Sequence, residues 1–317
     1  MKRRSFLELS SLGLALPVAG TLMGTDIQRA AAAAPQANTD ANLPETKIGI
    51  CLNTSTIRGQ KLSVPEQVKV AAESGYDSIE PWMGDLRSYV EQGGSLDDLA
   101  KQIRDAGLTV ESAIGFARWI VDDPQERNAG LEEARRDMEL LRAIGGKRIA
   151  APPVGVQQSA NAISDLGVVA ERYRDLLEVG AQTGVVPQLE LWGSSPTLSR
   201  LGELAYVAAE AGHPDACVLP DFYHIYKGGS DFAGLAMIEA SRMHVFHIND
   251  YPADPPRETI NDAARVYPGD GVCPLKETIS LLRANGFTGS FSLELFNPEY
   301  WKQDALTVAK TGIEKTR

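Results

Sequence analysis

The sequence has few of the residues that build disulfide frameworks, thiolate metal sites and nucleic-acid-binding surfaces. Its 317 residues include 3 cysteines, far apart and without a CxxC pair, so neither a disulfide scaffold nor a cysteine zinc site is predicted. Lys and Arg number 31 against 42 Asp and Glu, a net charge of −11. A surface of that sign repels phosphate backbones, and we therefore expect no nucleic-acid partner.

Long apolar runs are also absent after the N-terminal region, where no segment reaches the ~18 uninterrupted apolar residues of a membrane span. No GxGxxG fingerprint follows the first predicted strand, residues 48–52. A doubly wound dinucleotide-binding sheet is therefore the less favoured alternative for the fold.

The N-terminus has the pattern of an export signal. Basic residues Lys2-Arg3-Arg4 precede an apolar run, 9–23, and a small-residue stretch, 30–34, that suits a signal peptidase. The twin arginines followed by Phe6-Leu7 are typical of a twin-arginine signal. We predict this signal over 1–34, a flexible lead-in over 35–46, and delivery to the periplasm by the twin-arginine machinery. An ordinary secretory signal or an uncleaved membrane anchor is the alternative.

From residue 47 onward, short β-type runs alternate with longer helical patterns. Eight strands are predicted at Ile48–Leu52, Ser78–Pro81, Leu108–Ile114, Arg148–Pro152, Val186–Trp192, Cys217–Asp221, Met243–Asn249 and Ser290–Phe296. Helices are predicted at Val64–Ser74, Leu96–Ala106, Leu131–Ile144, Val168–Thr183, Leu198–Ala211 and Leu275–Asn285. A glycine follows each as a C-terminal cap: Gly75, Gly107, Gly145, Gly184, Gly212 and Gly286. Eight such units in roughly 270 residues predict one α/β domain, a (β/α)8 TIM barrel over 47–317.

Charged side chains stand near the ends of these apolar strands. Because alternate residues of a strand face opposite sides, Glu190, His247 and Glu294 are predicted to point into the barrel. Asp221 ends the sixth strand. In barrel enzymes this rim carries the chemistry, and three carboxylates with an imidazole suit Mn²⁺, Co²⁺ or Zn²⁺. We therefore predict one divalent metal ion held by these four residues, although any one of them alone would more often be a salt-bridge partner.

Five motifs carry a family resemblance. They are Leu189-Glu190-Leu191, Pro220-Asp221-Phe222-Tyr223-His224, Val245-Phe246-His247-Ile248-Asn249-Asp250, Arg265-Val266-Tyr267-Pro268-Gly269-Asp270-Gly271 and Leu293-Glu294-Leu295-Phe296-Asn297-Pro298-Glu299-Tyr300. Together they resemble the xylose-isomerase-like barrel superfamily of sugar isomerases and epimerases, and within it the inosose isomerases. The resemblance implies the same four metal ligands and places His224 beside the substrate.

The expected activity is isomerisation or epimerisation of a small-molecule keto-sugar or keto-inositol through an enediolate. Relatives imply that Glu190 and Glu294 act as an acid/base pair, with His224 donating to a substrate oxygen or moving a proton. Three further residues are substrate-binding candidates: Glu80, Trp192 and Arg265. Structural roles, as ion pairs or core packing, are the alternatives for all three.

Two features depart from the inosose isomerases: the export signal, and Ala264 where an acidic residue is expected before Arg265. A metal-dependent lyase or hydrolase acting on 3-keto-glycosides is therefore the first alternative, and a non-catalytic sugar-binding barrel the second. An AP-endonuclease-like role is disfavoured, because 4 histidines are few for a multi-zinc site. The sequence leaves a homo-oligomer open.

Overall fold

Eight short parallel strands alternate with helices through residues 48–317, the part of the chain that the computed structural model describes. The strands are β1 Gly49–Asn53, β2 Ser78–Glu80, β3 Thr109–Val110, β4 Arg148–Ala151, β5 Val186–Glu190, β6 Val218–Leu219, β7 Val245–Ile248 and β8 Ser290–Leu293. The helices are α1 Val64–Ser74, α2 Met83–Glu91, α3 Leu96–Asp105, α4 Pro124–Ala143, α5 Leu166–Thr183, α6 Leu201–Glu210, α7 Phe222–Gly228, α8 Leu275–Ala284 and α9 Ala305–Thr316. The predicted signal (1–34) and lead-in (35–46) lie outside the described residues.

The strands form two parallel sheets that meet as a ring. One has the order β3-β2-β1-β8-β7 and the other β4-β5-β6. Ala150 N–H donates to Ala113 O at 2.8 Å where β3 meets β4. Isolated parallel bridges, Val218–Met243 and Asp221–His247, join β6 to β7. The predicted TIM barrel is thereby confirmed.

The predicted facing of the strands is also confirmed. Phe246, Ile248, Leu293 and Leu295 belong to the large core between the strands and the helices. A second, smaller cluster lies in the barrel interior; it contains Ile114, Ala150, Leu219 and Val245. Val245 and His247 are two residues apart in β7 and so share the inward face. The apolar pattern of each strand therefore dictates which polar residues enter the barrel.

The structure differs from the sequence prediction in several elements. Helices α2, α7 and α9 were not predicted, and α4 begins at Pro124 rather than Leu131. Its early start has a clear cause, because the Asp123 side chain accepts from two backbone N–H groups and caps the helix. Strand β3 covers only two of the seven residues predicted. The six predicted glycine caps are confirmed, with φ between 59° and 92°.

A long segment after β7 carries Arg265 to the strand ends. Buried Asp250 holds this segment through four backbone N–H groups, those of Tyr251 (2.8 Å), Cys273 (2.9 Å), Gly269 (3.0 Å) and Gly271 (3.1 Å). The backbones of Asp250 and Val266 also form an antiparallel bridge. These hydrogen bonds therefore fix the position of the loop that carries Arg265. No helix within residues 48–317 is both long and apolar enough to cross a membrane.

Candidate metal and active site

Four polar side chains meet where β5 to β8 end. Glu190 is the last residue of β5, His247 lies in β7, Glu294 directly follows β8, and Asp221 caps the N-terminus of α7. All four are buried, with at most 4% of their surface exposed. The structure therefore brings together the four residues predicted as metal ligands.

The Nδ1 atom of His247 is the centre of this group. It lies 3.3 Å from Glu294 Oε2, 3.6 Å from Glu190 Oε1 and 3.7 Å from Asp221 Oδ2, and it has no hydrogen-bond partner although it is buried. Burial alone would lower the pKa of His247, but the carboxylates of Glu294 and Glu80 raise it well above its ordinary value. Burial raises the pKa of Glu294 to about 8, although His247 and Arg265 oppose that shift.

This donor set fits a divalent cation. Glu190, His247 and Glu294 each offer a ligand atom, and these atoms lie within 4.8 Å of one another. A cation would use the lone pair of the unpartnered Nδ1 and neutralise carboxylates that otherwise repel each other. Two carboxylates and one imidazole also match the ligand types of known zinc sites.

Asp221 accepts three hydrogen bonds, one more than Glu294, with which it shares Arg265 Nη1. Its Oδ1 accepts from the backbone N–H of His224 (2.7 Å), and its Oδ2 accepts from Asn249 Nδ2 (3.1 Å) and Arg265 Nη1 (2.8 Å). Asp221 lies next to the group formed by Glu190, His247 and Glu294, but its oxygens are already hydrogen-bonded. To ligate a cation, it would have to give up the hydrogen bond from Arg265.

Glu80, predicted as a substrate contact, lies behind His247 and is fully buried. Its Oε2 lies 3.1 Å from His247 Nε2 and accepts from Ser292 Oγ (2.6 Å) and Asn53 Nδ2 (3.0 Å). A carboxylate at Nε2 fixes the ring and turns Nδ1 toward the other carboxylates. Metal-binding histidines are commonly oriented in this way.

We expect Glu80→Gln to weaken binding of Mn²⁺ or Zn²⁺ about 10- to 100-fold, the usual effect of removing such an orienting carboxylate. The amide oxygen can keep the contacts of Oε2 but is a weaker acceptor for Nε2, and the NH₂ group is left buried at the position of Oε1, which has no hydrogen-bond partner. Titration calorimetry or competition with a chelator measures the dissociation constant. Glu299→Gln, at an exposed carboxylate, is the matched control. Equal affinities for the Glu80 variant and the control would show that Glu80 has no orienting role.

Arg265 supplies the positive charge of the site. Its guanidinium is 1% exposed and donates to Asp221 (2.8 Å), Glu294 (2.9 Å) and Asp262 (2.6 Å). The rings of Tyr223 and Phe296 lie 4.5 and 5.0 Å from it. Burial would lower the pKa of Arg265, but the three carboxylates raise it above its ordinary value. Asp262 therefore provides the acidic partner that Ala264 does not.

His224 lies between Arg265 and the loop after β5. Gly193 N–H donates to its Nδ1 (3.3 Å), and Arg265 Nη2 lies 3.1 Å from its Nε2. Burial lowers the pKa of His224, although Asp221 opposes the shift. Because a neutral imidazole carries one N–H, its two nitrogens cannot both accept. One of the two contacts is therefore available for a substrate oxygen to replace.

A pocket of about 330 Å³ opens above this group. Its polar residues are Gln157, Glu190, Ser194, His224, Asp262, Arg265 and Glu294. Its apolar residues are Trp82, Ile114, Phe116, Trp192 and Phe296. Three of the predicted substrate contacts, Trp192, His224 and Arg265, line the pocket; Glu80 does not.

Sequence reasoning missed Asn53. Its Nδ2 donates to Glu80 (3.0 Å) and Glu294 (3.1 Å), and its Oδ1 accepts from Trp82 Nε1 (3.0 Å). The buried Asn53 amide thus connects three residues: Glu80, which orients His247; Glu294, a ligand candidate; and Trp82, which lines the pocket. The signal was present, because Asn53 is a polar residue at the end of an apolar strand, as Asp221 is.

The fold and this rim define the class, a TIM barrel with candidate metal-binding side chains at the carboxyl ends of its strands. Residues 68–317 match the family model described as xylose isomerase-like TIM barrel, and the chain belongs to that family. It is 27% identical over 269 residues to an inosose isomerase of Bacillus velezensis, covering 84% of this chain and 95% of that protein.

Solved structures share the fold. The IolI protein, solved with a bound zinc atom, superposes with a TM-score of 0.77 at 24% identity, covering 85% of this chain and 96% of the other. The 3-keto-D-glucoside 4-epimerase of E. coli gives a TM-score of 0.64 at 21% identity, covering 84% of this chain and 100% of the other. At these identities the similarity establishes the barrel alone.

Proposed function

We propose that the protein is a divalent-metal-dependent isomerase or epimerase of a keto-sugar or keto-inositol that works through an enediolate. One observation carries the proposal: two carboxylates that line the pocket, Glu190 and Glu294, flank an unpartnered histidine nitrogen. The inosose isomerase relative supports the same reaction class.

Glu190, His247 and Glu294 would hold the cation, with Asp221 joining them if it releases Arg265. When bound, a divalent cation supplies positive charge that polarises a ketone and stabilises the negative charge developing on its oxygen. Glu80 keeps His247 oriented for this role. Arg265 balances the remaining carboxylate charge.

Glu190 is the better placed base. It lines the pocket, and its Oε1 lies 3.6 Å from His247 Nδ1, whereas Arg265 holds Glu294 at 2.9 Å. Its carboxylate is therefore free to take the proton from the carbon next to the ketone. Strands β6 and β7 separate β5 from β8, so Glu190 and Glu294 approach a bound ring from two directions.

Glu294 is the better oriented partner. Asn53 Nδ2 holds its Oε1 (3.1 Å) and Arg265 Nη1 holds its Oε2 (2.9 Å). Return of the proton to the former carbonyl carbon gives an isomer, and return to the opposite face of the original carbon gives an epimer. His224 donates to a substrate oxygen from the same side as Arg265.

Proton exchange in D₂O tests the proposal. Protein loaded with Mn²⁺ is incubated with 2-keto-myo-inositol, ketohexoses and 3-keto-glucosides, and the products are followed by NMR. We expect deuterium to enter at the carbon next to the ketone, together with an isomer or epimer. Release of an aglycone would instead support the lyase or hydrolase alternative. No exchange with any of these substrates, while the metal is verifiably bound, would contradict the enzyme proposal and favour a binding protein.

A further inference from the structure

Four aromatic rings form one continuous side of the pocket, called here the aromatic wall: Trp82, Phe116, Trp192 and Phe296. The ring centroids of Trp82 and Phe116 are 5.1 Å apart, those of Trp82 and Phe296 5.9 Å, and those of Phe116 and Trp192 6.4 Å. All four rings are half-buried. They therefore present apolar faces to the pocket that Glu190 and Glu294 also line.

The arrangement of this wall is fixed before any ligand arrives. The Trp82 indole N–H donates to Asn53 Oδ1 at 3.0 Å, and the Arg58 guanidinium lies 4.2 Å from the indole ring. Trp82 and Phe116 pack on the small interior cluster of the barrel, not on the core beneath the helices. A rigid apolar surface next to a polar site is typical of a pocket built for a ligand with two chemically different ends.

The pocket offers no unpaired cation for an anionic substrate. Its described lining includes the carboxylates of Glu190, Asp262 and Glu294 and a single guanidinium, that of Arg265. Both terminal nitrogens of Arg265 already contact carboxylates. Among these side chains, a phosphate or carboxylate group would therefore find no free positive charge, and the proposed cation is needed by the ketone, which favours an uncharged substrate.

The volume of the pocket is also larger than one sugar ring requires. A cavity of about 150 Å³ is enough to bind one benzene ring, whereas this pocket measures about 330 Å³. A single six-membered sugar ring therefore fills only part of this space. The rest lies against the aromatic wall, where an apolar ring face is stabilised by burial and stacking.

We propose that the substrate is an uncharged keto-glycoside, with its keto-ring at Glu190 and Glu294 and its aglycone or second ring covered by the aromatic wall of Trp82, Phe116, Trp192 and Phe296. The inference rests on the proposed function for the reacting end of the pocket. It adds the substrate class, a glycoside in preference to a free ketose, a cyclitol or a sugar phosphate.

Three probes test the wall: 2-keto-myo-inositol, methyl 3-keto-β-D-glucopyranoside and its phenyl analogue. Quenching of tryptophan fluorescence gives dissociation constants with and without Mn²⁺, and deuterium exchange reports turnover. We expect the phenyl glycoside to bind about two- to twelve-fold more tightly than the methyl glycoside, since one aromatic contact contributes ~0.5–1.5 kcal/mol.

Trp192→Ala should remove most of this phenyl preference, and Trp192→Phe should keep part of it. Trp82 remains as a reporter in both variants. Tyr206→Ala, at a 46% exposed aromatic outside the pocket lining, is the matched control. Thermal melts confirm that each variant is folded, and Trp192→Phe provides the comparison if the alanine variant is not.

The possible failures are distinguishable. Equal affinity of the wild-type protein for methyl and phenyl glycosides, or an equal loss for both in Trp192→Ala, would overturn the glycoside inference, even if 2-keto-myo-inositol exchanges deuterium. Selective binding of the phenyl probe without deuterium exchange would instead uphold the wall as a glycoside site and contradict the proposed reaction.

Discussion

Replacing Glu294 by glutamine is expected to lower the rate of deuterium exchange by about 10²- to 10⁴-fold, the usual contribution of a positioned acid or base. The amide cannot transfer the proton. It also offers one acceptor where the carboxylate offers two, so its NH₂ group must face a donor, either Asn53 Nδ2 or Arg265 Nη1. We therefore expect metal affinity to fall as well.

Exchange rates at saturating Mn²⁺ separate these two effects, because a loss due only to weak metal binding is recovered at high metal concentration. Glu299→Gln again serves as the control, since its exposed carboxylate pairs only with Lys302 among the described residues. Full exchange activity in Glu294→Gln would remove this residue from the mechanism.

The largest expected effect on stability comes from Arg265→Met, which keeps much of the side-chain volume but removes the guanidinium. Asp221 and Glu294 are then left buried without their charged partner, which typically costs ~3–5 kcal/mol. Urea denaturation in the presence of EDTA measures the loss of unfolding free energy. Arg257→Met, at an exposed arginine that lies 5.0 Å from the ring of Tyr226, should change it by less than ~1 kcal/mol.

Added Mn²⁺ should restore part of the stability lost in Arg265→Met, because the cation supplies positive charge to the same carboxylates. This recovery should exceed the stabilisation that Mn²⁺ gives the wild-type protein. An unchanged denaturation midpoint in EDTA would mean that the carboxylates are already neutral or solvated, and that Arg265 is not their counter-ion.

Much of the barrel could be predicted because the sequence pattern of each strand is local. Apolar neighbours fix the inward direction of Glu190, His247 and Glu294, and no knowledge of other strands is needed. Glycine caps likewise depend only on the local backbone. The ends of β3 and β6 were less predictable, because a strand ends where its neighbour stops offering hydrogen bonds. Asp221 is an example, since it is both the end of a predicted strand and the cap of α7.

The connections within the site could not be predicted from single segments. Asn53 lies 27 positions from Glu80 and 241 from Glu294 in the sequence, and only the closed barrel brings the three together. The pairing of Arg265 with Asp262 has a local component, because the residues are three apart. The sequence nevertheless did not predict this pair, because the resemblance places the acidic residue at position 264.

The junction between the two sheets has a consequence for how the protein would respond to its metal. Glu190 and Asp221 belong to the β4-β5-β6 side, His247 and Glu294 to the other, and isolated bridges join β6 to β7. A cation held as proposed would act as a cross-link across this seam. The His247 amide, which donates to Pro220 O at 2.9 Å across the seam, would then exchange its hydrogen more slowly when the ion is present. The availability of metal would thus determine how often the barrel opens between β6 and β7, as well as whether the site can carry out its reaction.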